Sequence, residues 1–332
     1  MRHANGTSPL FFLTAGELLV TTTKFQDKQE KMKIKLNLKV KLLLATLAVT
    51  AASQAQNVTV SPSKVLVDTT HEAAFFPTLS PDGTKLLYST TDATVLRMMD
   101  LNTRQVYRVS SEWGSGFDAK FGPDGKIYYV TMQRRGNNLI YRTGKSFEIG
   151  VGRTCTVVKP QHGAVRVLTA TDGIAVVGEK RSYKSKRNVG TYVWTEGDKL
   201  MLSENGKIRT MQPVAESSGY LWASLSPDGT KIVFNAARRG TFVVDLTGRV
   251  IAHLDYYLMP CWFNNDYIVA QNSGHGSYHK AGSQIFLVKA DGTFSQGITD
   301  PAEGAIQPMV VGDKVVYTNI EGVVREIKVE VK

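Results

Sequence analysis

The run Phe76-Pro77-Thr78-Leu79-Ser80-Pro81-Asp82-Gly83-Thr84-Lys85-Leu86-Leu87-Tyr88 decides the fold, because the chain repeats it. It returns as Leu221-Trp222-Ala223-Ser224-Leu225-Ser226-Pro227-Asp228-Gly229-Thr230-Lys231-Ile232-Val233-Phe234 and, more loosely, as Ala119-Lys120-Phe121-Gly122-Pro123-Asp124-Gly125-Lys126-Ile127-Tyr128-Tyr129. Residues 171–177, 263–269 and 311–317 keep the turn and the apolar run after it. The turn has a mechanism: proline pre-sets φ near −65° for the first central position, aspartate accepts the second, and glycine takes the left-handed conformation that returns the chain. An apolar run on each side makes a tight antiparallel hairpin.

Working outward, a third apolar run follows in several units, as in Leu96-Arg97-Met98-Met99-Asp100-Leu101-Asn102 and Thr241-Phe242-Val243-Val244-Asp245-Leu246-Thr247, and a polar fourth comes after it. No long stretch from Asn57 onward has helical periodicity. Six units in the 277 residues after position 55 give about 46 residues each, close to the ~40–50 of a four-stranded blade. The expectation is an all-β chain, a six-bladed β-propeller of four-stranded antiparallel blades over residues 56–332. Residues 58–67 and 323–331 are both period-2 apolar runs. Pairing them would close the ring and remove two exposed edges.

The repeat, with its S-P-D-G-T-K turn and the later apolar-apolar-Asp-Leu signature, resembles the TolB-type, WD-like propeller family. The resemblance covers nearly all of residues 56–332, with no counterpart of the α/β domain that precedes the propeller in TolB. It implies an envelope or periplasmic protein that binds partners.

The N-terminal region carries a targeting pattern. Lys33, Lys35, Lys39 and Lys41 precede an apolar run over 42–52, and Ser53-Gln54-Ala55 offers a small-x-small cleavage site. Residues 32–55 therefore read as a signal peptide, and 1–31 as an upstream extension from a misassigned start, with translation beginning at Met32. The apolar run is about half the ~20 residues a membrane span needs, so no integral span is expected once the leader is removed. The whole chain has a net charge of +11. Residues 1–55 hold eight basic and three acidic residues, and the remainder has 32 and 26. That moderate excess on an exported chain argues against a nucleic-acid partner. The implied location is the periplasm or cell surface of a Gram-negative bacterium.

Catalytic signatures are missing: no G-x-S-x-G elbow, no phosphate-cradling glycine loop, no H-E-x-x-H. No catalytic residue, metal or cofactor is assigned. Asp82, Asp124 and Asp228 occupy equivalent turn positions and read as structural. His275 and His279 are four apart, but in a glycine-rich segment that spacing fixes no shared face. Cys155 and Cys261 fall on different units, beyond the roughly 7 Å a disulfide allows, which predicts two free and largely buried thiols.

The charges are distributed unevenly over the repeat. With strands A to D in each blade, A–B and C–D turns share one face of the disc, and B–C loops and D–A links share the other. The B–C loops assigned to units two to five cover residues 133–137, 179–188, 237–240 and 272–282. They hold ten basic residues against one acid, Glu179. Candidate binding residues are Arg134, Arg135, Lys180, Arg181, Tyr183, Lys184, Arg187, Arg238 and Arg239, with Trp113, Trp222, Tyr257, His275 and His279 on the same face. Arginine forks suit carboxylate, sulfate or phosphate, and aromatics suit sugar faces and partner side chains. The favoured role is a non-catalytic binding module for an envelope protein, peptidoglycan or an anionic glycan. A carbohydrate-active enzyme, glycosidase or polysaccharide lyase, with its site at the mouth of the axis stays open, as does an accessory subunit of an envelope transport or secretion machine. Simple solvation of a charged surface is the bland alternative.

Overall fold

The hairpins the repeat predicts are present. In the first, β3 (Phe75–Leu79) pairs with β4 (Lys85–Ser89), then β5 (Leu96–Asp100) and β6 (Val106–Ser110) follow in order. The Asp82 carboxylate organises the turn. It accepts the Ser80 hydroxyl at 2.5 Å, the Thr84 amide at 3.0 Å and the Thr84 hydroxyl at 2.8 Å, while Gly83 takes φ 67°. Ser226, Asp228, Gly229 and Thr230 repeat this geometry. The computed structural model describes residues 57–332 except 71, 180, 181, 185–189, 216 and 273–281, and Thr59–Glu330 form the compact unit considered below.

Further blades follow in chain order. Blade two is β7 (Lys120–Phe121), β8 (Lys126–Arg134), β9 (Ile140–Glu148) and β10 (Arg153–Gln161). Blade three has β11 (Val165–Ala170), β12 (Gly173–Gly178) and β13 (Ser182–Lys184); blade four has β14 (Tyr192–Glu196), β15 (Lys199–Glu204) and β16 (Lys207–Met211). Blade five is β17 (Tyr220–Leu225), β18 (Lys231–Ala236), β19 (Gly240–Asp245) and β20 (Val250–His253). Blade six is β21 (Leu258–Trp262), β22 (Tyr267–Asn272), β23 (Gln284–Lys289) and β24 (Ser295–Gly297). Blade seven joins β25 (Ala305–Val311), β26 (Lys314–Asn319) and β27 (Val324–Val331) to the N-terminal strands β1 (Val58–Val60) and β2 (Lys64–Val67).

The ring therefore has seven blades, and the expectation of six is corrected. Between the repeats at 119–129 and 221–234 the six-unit reading has one unit, marked by 171–177, whereas residues 165–211 form two sheets of three described strands each. The second sheet was hidden because its first hairpin lacks the proline turn. Glu196 and Lys199 pair directly across the two-residue turn Gly197-Asp198, in which Gly197 takes φ 61°. Strand direction changes there as well. The Thr171 amide donates to Thr191 O (3.0 Å), and the Tyr220 amide donates to Gly197 O (3.2 Å). So β14 begins beside the end of β11 and ends beside the start of β17, running against both neighbours.

Closure follows the expected route. β2 pairs antiparallel with β27, Lys64 opposite Glu326 and Val67 opposite Val324. Leu66 and Val67 are buried with Leu79, Leu86, Val316 and Val324 between blades seven and one. Similar apolar layers lie between the other blades, such as Ile232, Phe234 and Val244 against Leu200 and Leu202.

Candidate binding face at the axis

The starts of the innermost strands share an unusual backbone feature. Phe76, Trp222, Met259 and Gln307 all have positive φ, between 49° and 54°. Each sits in a β-bulge, where the pairing of β3, β17, β21 and β25 with the following strand shifts register. A left-handed non-glycine residue costs on the order of 1–3 kcal/mol, so four at equivalent places require the surrounding contacts to hold them. Those contacts include amide links between blades. The Phe76 amide donates to Gln307 Oε1 (2.7 Å), and the Gln307 amide donates to Gln271 Oε1 (3.2 Å). Proline follows in three of the four, as Phe76-Pro77, Met259-Pro260 and Gln307-Pro308, two or three residues before the strand ends.

These bulges lie at the D–A end of the inner strands, on the face that carries the B–C loops. Exposed apolar side chains collect there. Leaving aside the outermost strands, Trp113, Phe117, Leu139, Leu221, Tyr256 and Ile320 are exposed on this face, against Val151 on the other, among the described residues. Phe117 packs edge-on to Phe76 with centroids 5.7 Å apart. The Tyr256 hydroxyl donates to Arg238 O at 3.0 Å, tying a D–A link to a B–C turn.

Ion pairs occur toward both faces. At the S-P-D-G face Lys126 and Arg153 pair with Glu148 (3.4 and 2.7 Å), Arg209 with Glu204 (3.0 Å), Arg249 with Asp245 (3.0 Å) and Lys289 with Asp291 (3.1 Å). Lys85, Arg104 and Lys207 there have no ion pair among the described residues, and toward the other face Lys120 pairs with Asp118 and Lys145 with Glu112. On that other face, Arg134, Arg135 and Arg238 have no carboxylate within ion-pair distance among the described residues. Several acids on that face are occupied. Asp92 accepts the Thr90 and Thr94 hydroxyls, which hold its carboxyl below the usual range, and Glu72 pairs with Arg97.

The candidate residues divide into three groups. Trp113, Trp222, Arg134, Arg135, Arg238 and Arg239 stand on the common face, with Trp222 at a bulge. Tyr183 and Lys184 do not. The expected loop 179–188 is interrupted by β13, whose Lys184 pairs opposite Ala175 and leads the chain toward the S-P-D-G face. Lys184 Nζ lies 6.0 Å from the Tyr192 ring centroid, and the Tyr183 hydroxyl is 3.4 Å from that of Tyr128 inside the sheet packing. Tyr257 is buried between blades five and six, its hydroxyl 2.7 Å from Ser295 Oγ. Lys180, Arg181, Arg187, His275 and His279 lie outside the described residues. Both cysteines are free, with Cys155 exposed on β10 instead of buried, and Cys261 half-buried. Among the described residues no cluster of three or more His, Cys, Asp or Glu side chains could hold a metal, and no helix is long and apolar enough to cross a membrane.

No family model matches the chain, and no curated protein does. Among solved structures the chain is similar to TolB from Acinetobacter baumannii, with a TM-score of 0.50 and 13% identity over 70% of this chain and 55% of that one. It is also similar to a catalytically inactive virginiamycin B lyase from Staphylococcus aureus, solved with quinupristin, with a TM-score of 0.54 and 11% identity over 82% of this chain and 99% of the lyase. A streptogramin B lyase gives 0.51 and 14% identity over 82% and 98% of the two chains. TolB and virginiamycin B lyase are both β-propellers, and at these identities the likeness is one of fold. The chain spans about half of the TolB chain, so TolB's activities and partners do not transfer with the fold.

Proposed function

We propose that this protein is a non-catalytic binding module of the cell envelope, exported through the 32–55 leader, that presents its D–A face to an anionic partner. The partner is an envelope protein, peptidoglycan or an anionic glycan. One observation carries the reading: Arg134, Arg135 and Arg238, without carboxylate partners among the described residues, share a face with the exposed Trp113, Phe117 and Tyr256. Unmatched guanidinium groups retain their field, which speeds encounter with an anion and makes affinity salt-dependent over roughly 8–10 Å.

The test is recovery of partners from the native envelope in a salt series, comparing the wild type with Arg134→Glu/Arg238→Glu. Exposed charges contribute about 0.2–1 kcal/mol each, so two reversals weaken binding about tenfold. Lys289→Glu on the opposite face leaves binding unchanged, and all three proteins melt within about 2 °C of one another. Partner binding that ignores both salt and the double reversal would sink the proposal.

A further inference from the structure

The blade-two hairpin departs from its counterparts. Its strands β8 and β9 are nine residues each, against five or six for the same strands in blades one, five and six. The additional pairs Met132–Arg142, Gln133–Tyr141 and Arg134–Ile140 extend the ladder toward the D–A face. Three arginines stand on this extension. Arg135 lies over the Tyr141 ring, its guanidinium carbon 4.1 Å from the centroid, and Tyr141 stands edge-on to His162 at 6.2 Å. Arg142 Nη1 donates to His162 O at 3.4 Å. Arg134 and Arg142 sit diagonally across the two strands on one side of the hairpin, as their register dictates, and Arg135 with Tyr141 stands on the other. None of the three has a carboxylate partner among the described residues; Glu179 instead lies against Gly163. At the hairpin root the Met132 amide donates to Trp113 O (2.7 Å), which fixes a 38% exposed tryptophan two residues from Arg134.

We infer that this hairpin is an acidic-polysaccharide subsite, in which Trp113 offers a ring face to a sugar and Arg134 and Arg142 receive its carboxylate groups. The inference rests on the binding reading above and names the partner class. Guanidinium donates two parallel N–H groups to a carboxylate, and the bond to His162 O positions the Arg142 side chain beside Arg134. An indole covers the apolar face of one sugar ring. An acidic protein is a poorer fit to this element. A protein interface buries about 800 Å² per partner around an apolar centre, and the hairpin exposes only Trp113 and Leu139 as large apolar groups.

The probe is polygalacturonate, with neutral dextran and polyglutamate as comparisons, measured by affinity electrophoresis and calorimetry on the full chain. Polygalacturonate binds and dextran does not. Arg134→Ala/Arg142→Ala weakens binding about tenfold, as two lost charge contacts require. Trp113→Ala weakens it severalfold, whereas Trp113→Phe retains most of it. Polyglutamate binds more weakly and is indifferent to Trp113. Equal binding of the two polyanions with no effect of Trp113 overturns the assignment, leaving only a charge effect, and so does an absence of polygalacturonate binding. Should that absence accompany salt-sensitive recovery of an envelope partner, the glycan subsite falls and the binding module stands. Should both fail, both readings fall. Trp113 and Arg134 are exposed and Arg142 half-buried, and unchanged unfolding curves show that the variants are folded.

Discussion

Asp82 accepts three hydrogen bonds from Ser80 and Thr84, and these hold its carboxyl down at about 2, the Ser80 hydroxyl contributing most. Its unfolded value is near 3.9, so the folded state favours the ionised form. The stabilisation is complete above about pH 4 and is lost as pH falls through about 2. Asp82→Ala is expected to lower the melting temperature by about 2–4 °C at pH 7, the loss of about 1 kcal/mol of turn hydrogen bonding. The same variant should show a smaller drop between pH 4 and pH 2 than the wild type, measured by thermal melts across that range. Blade two shows why the repeat loosened there. It lacks the threonine after the glycine, and the fully buried Tyr128 sends its hydroxyl to Asp124 at 2.6 Å. A Cβ on Gly122 would collide with Asp124 Oδ1 and stand 2.7 Å from Tyr128 Cε2. Gly122→Ser, which restores the repeat's own residue, should therefore destabilise by about 1–3 kcal/mol in denaturant titration.

Strands and hairpins were legible where the turn chemistry was strong. The proline-aspartate-glycine turns marked blades one, two and five, and the alternation in 58–67 located the closing strand. Blade four was not legible, because Gly197 replaces the proline turn and its strand β14 reverses direction, which periodicity does not record. The same reversal explains Lys184. A charge read as part of one long loop lies on a short strand, β13, that carries the chain to the other face. The bulges are not legible in the pattern, because proline follows only three of the four and what it marks is a backbone angle, not a change in apolar periodicity. Their role in joining blades can be measured. Gln307→Ala removes the acceptor for the half-buried Phe76 amide and should cost about 1–3 kcal/mol, while Gln307→Glu, which keeps a carbonyl-type oxygen, should cost much less. Equal losses in the two variants would show that the link between blades seven and one does not hold the bulge.

At the scale of the whole ring, stability is shared among interfaces between neighbouring blades, and β2 is where the chain's two ends meet. It brings Leu66 and Val67 into the layer between blades seven and one, and Arg104 of blade one donates to Leu66 O at 2.6 Å. A ring opened there loses the constraint on blade seven, whose neighbour across the next interface is blade six. Cys261 reports on that interface. Its thiol lies between Val269 O (3.5 Å) and Pro308 O (3.6 Å), and burial pushes it up to about 12. A half-buried thiol that stays protonated near neutral pH is a poor nucleophile, whereas exposed Cys155 is reachable. In the native protein a maleimide at pH 7 should modify Cys155 within minutes and Cys261 only on denaturation. Removing residues 57–67 should leave the Cys155 rate unchanged and raise that of Cys261 at least tenfold, because the opened ring lets blades six and seven separate, as mass spectrometry of the labelled peptides would record. If Cys261 stays as protected after the truncation as before it, blade seven is held by its inner strands, and β2 contributes burial without closing the ring.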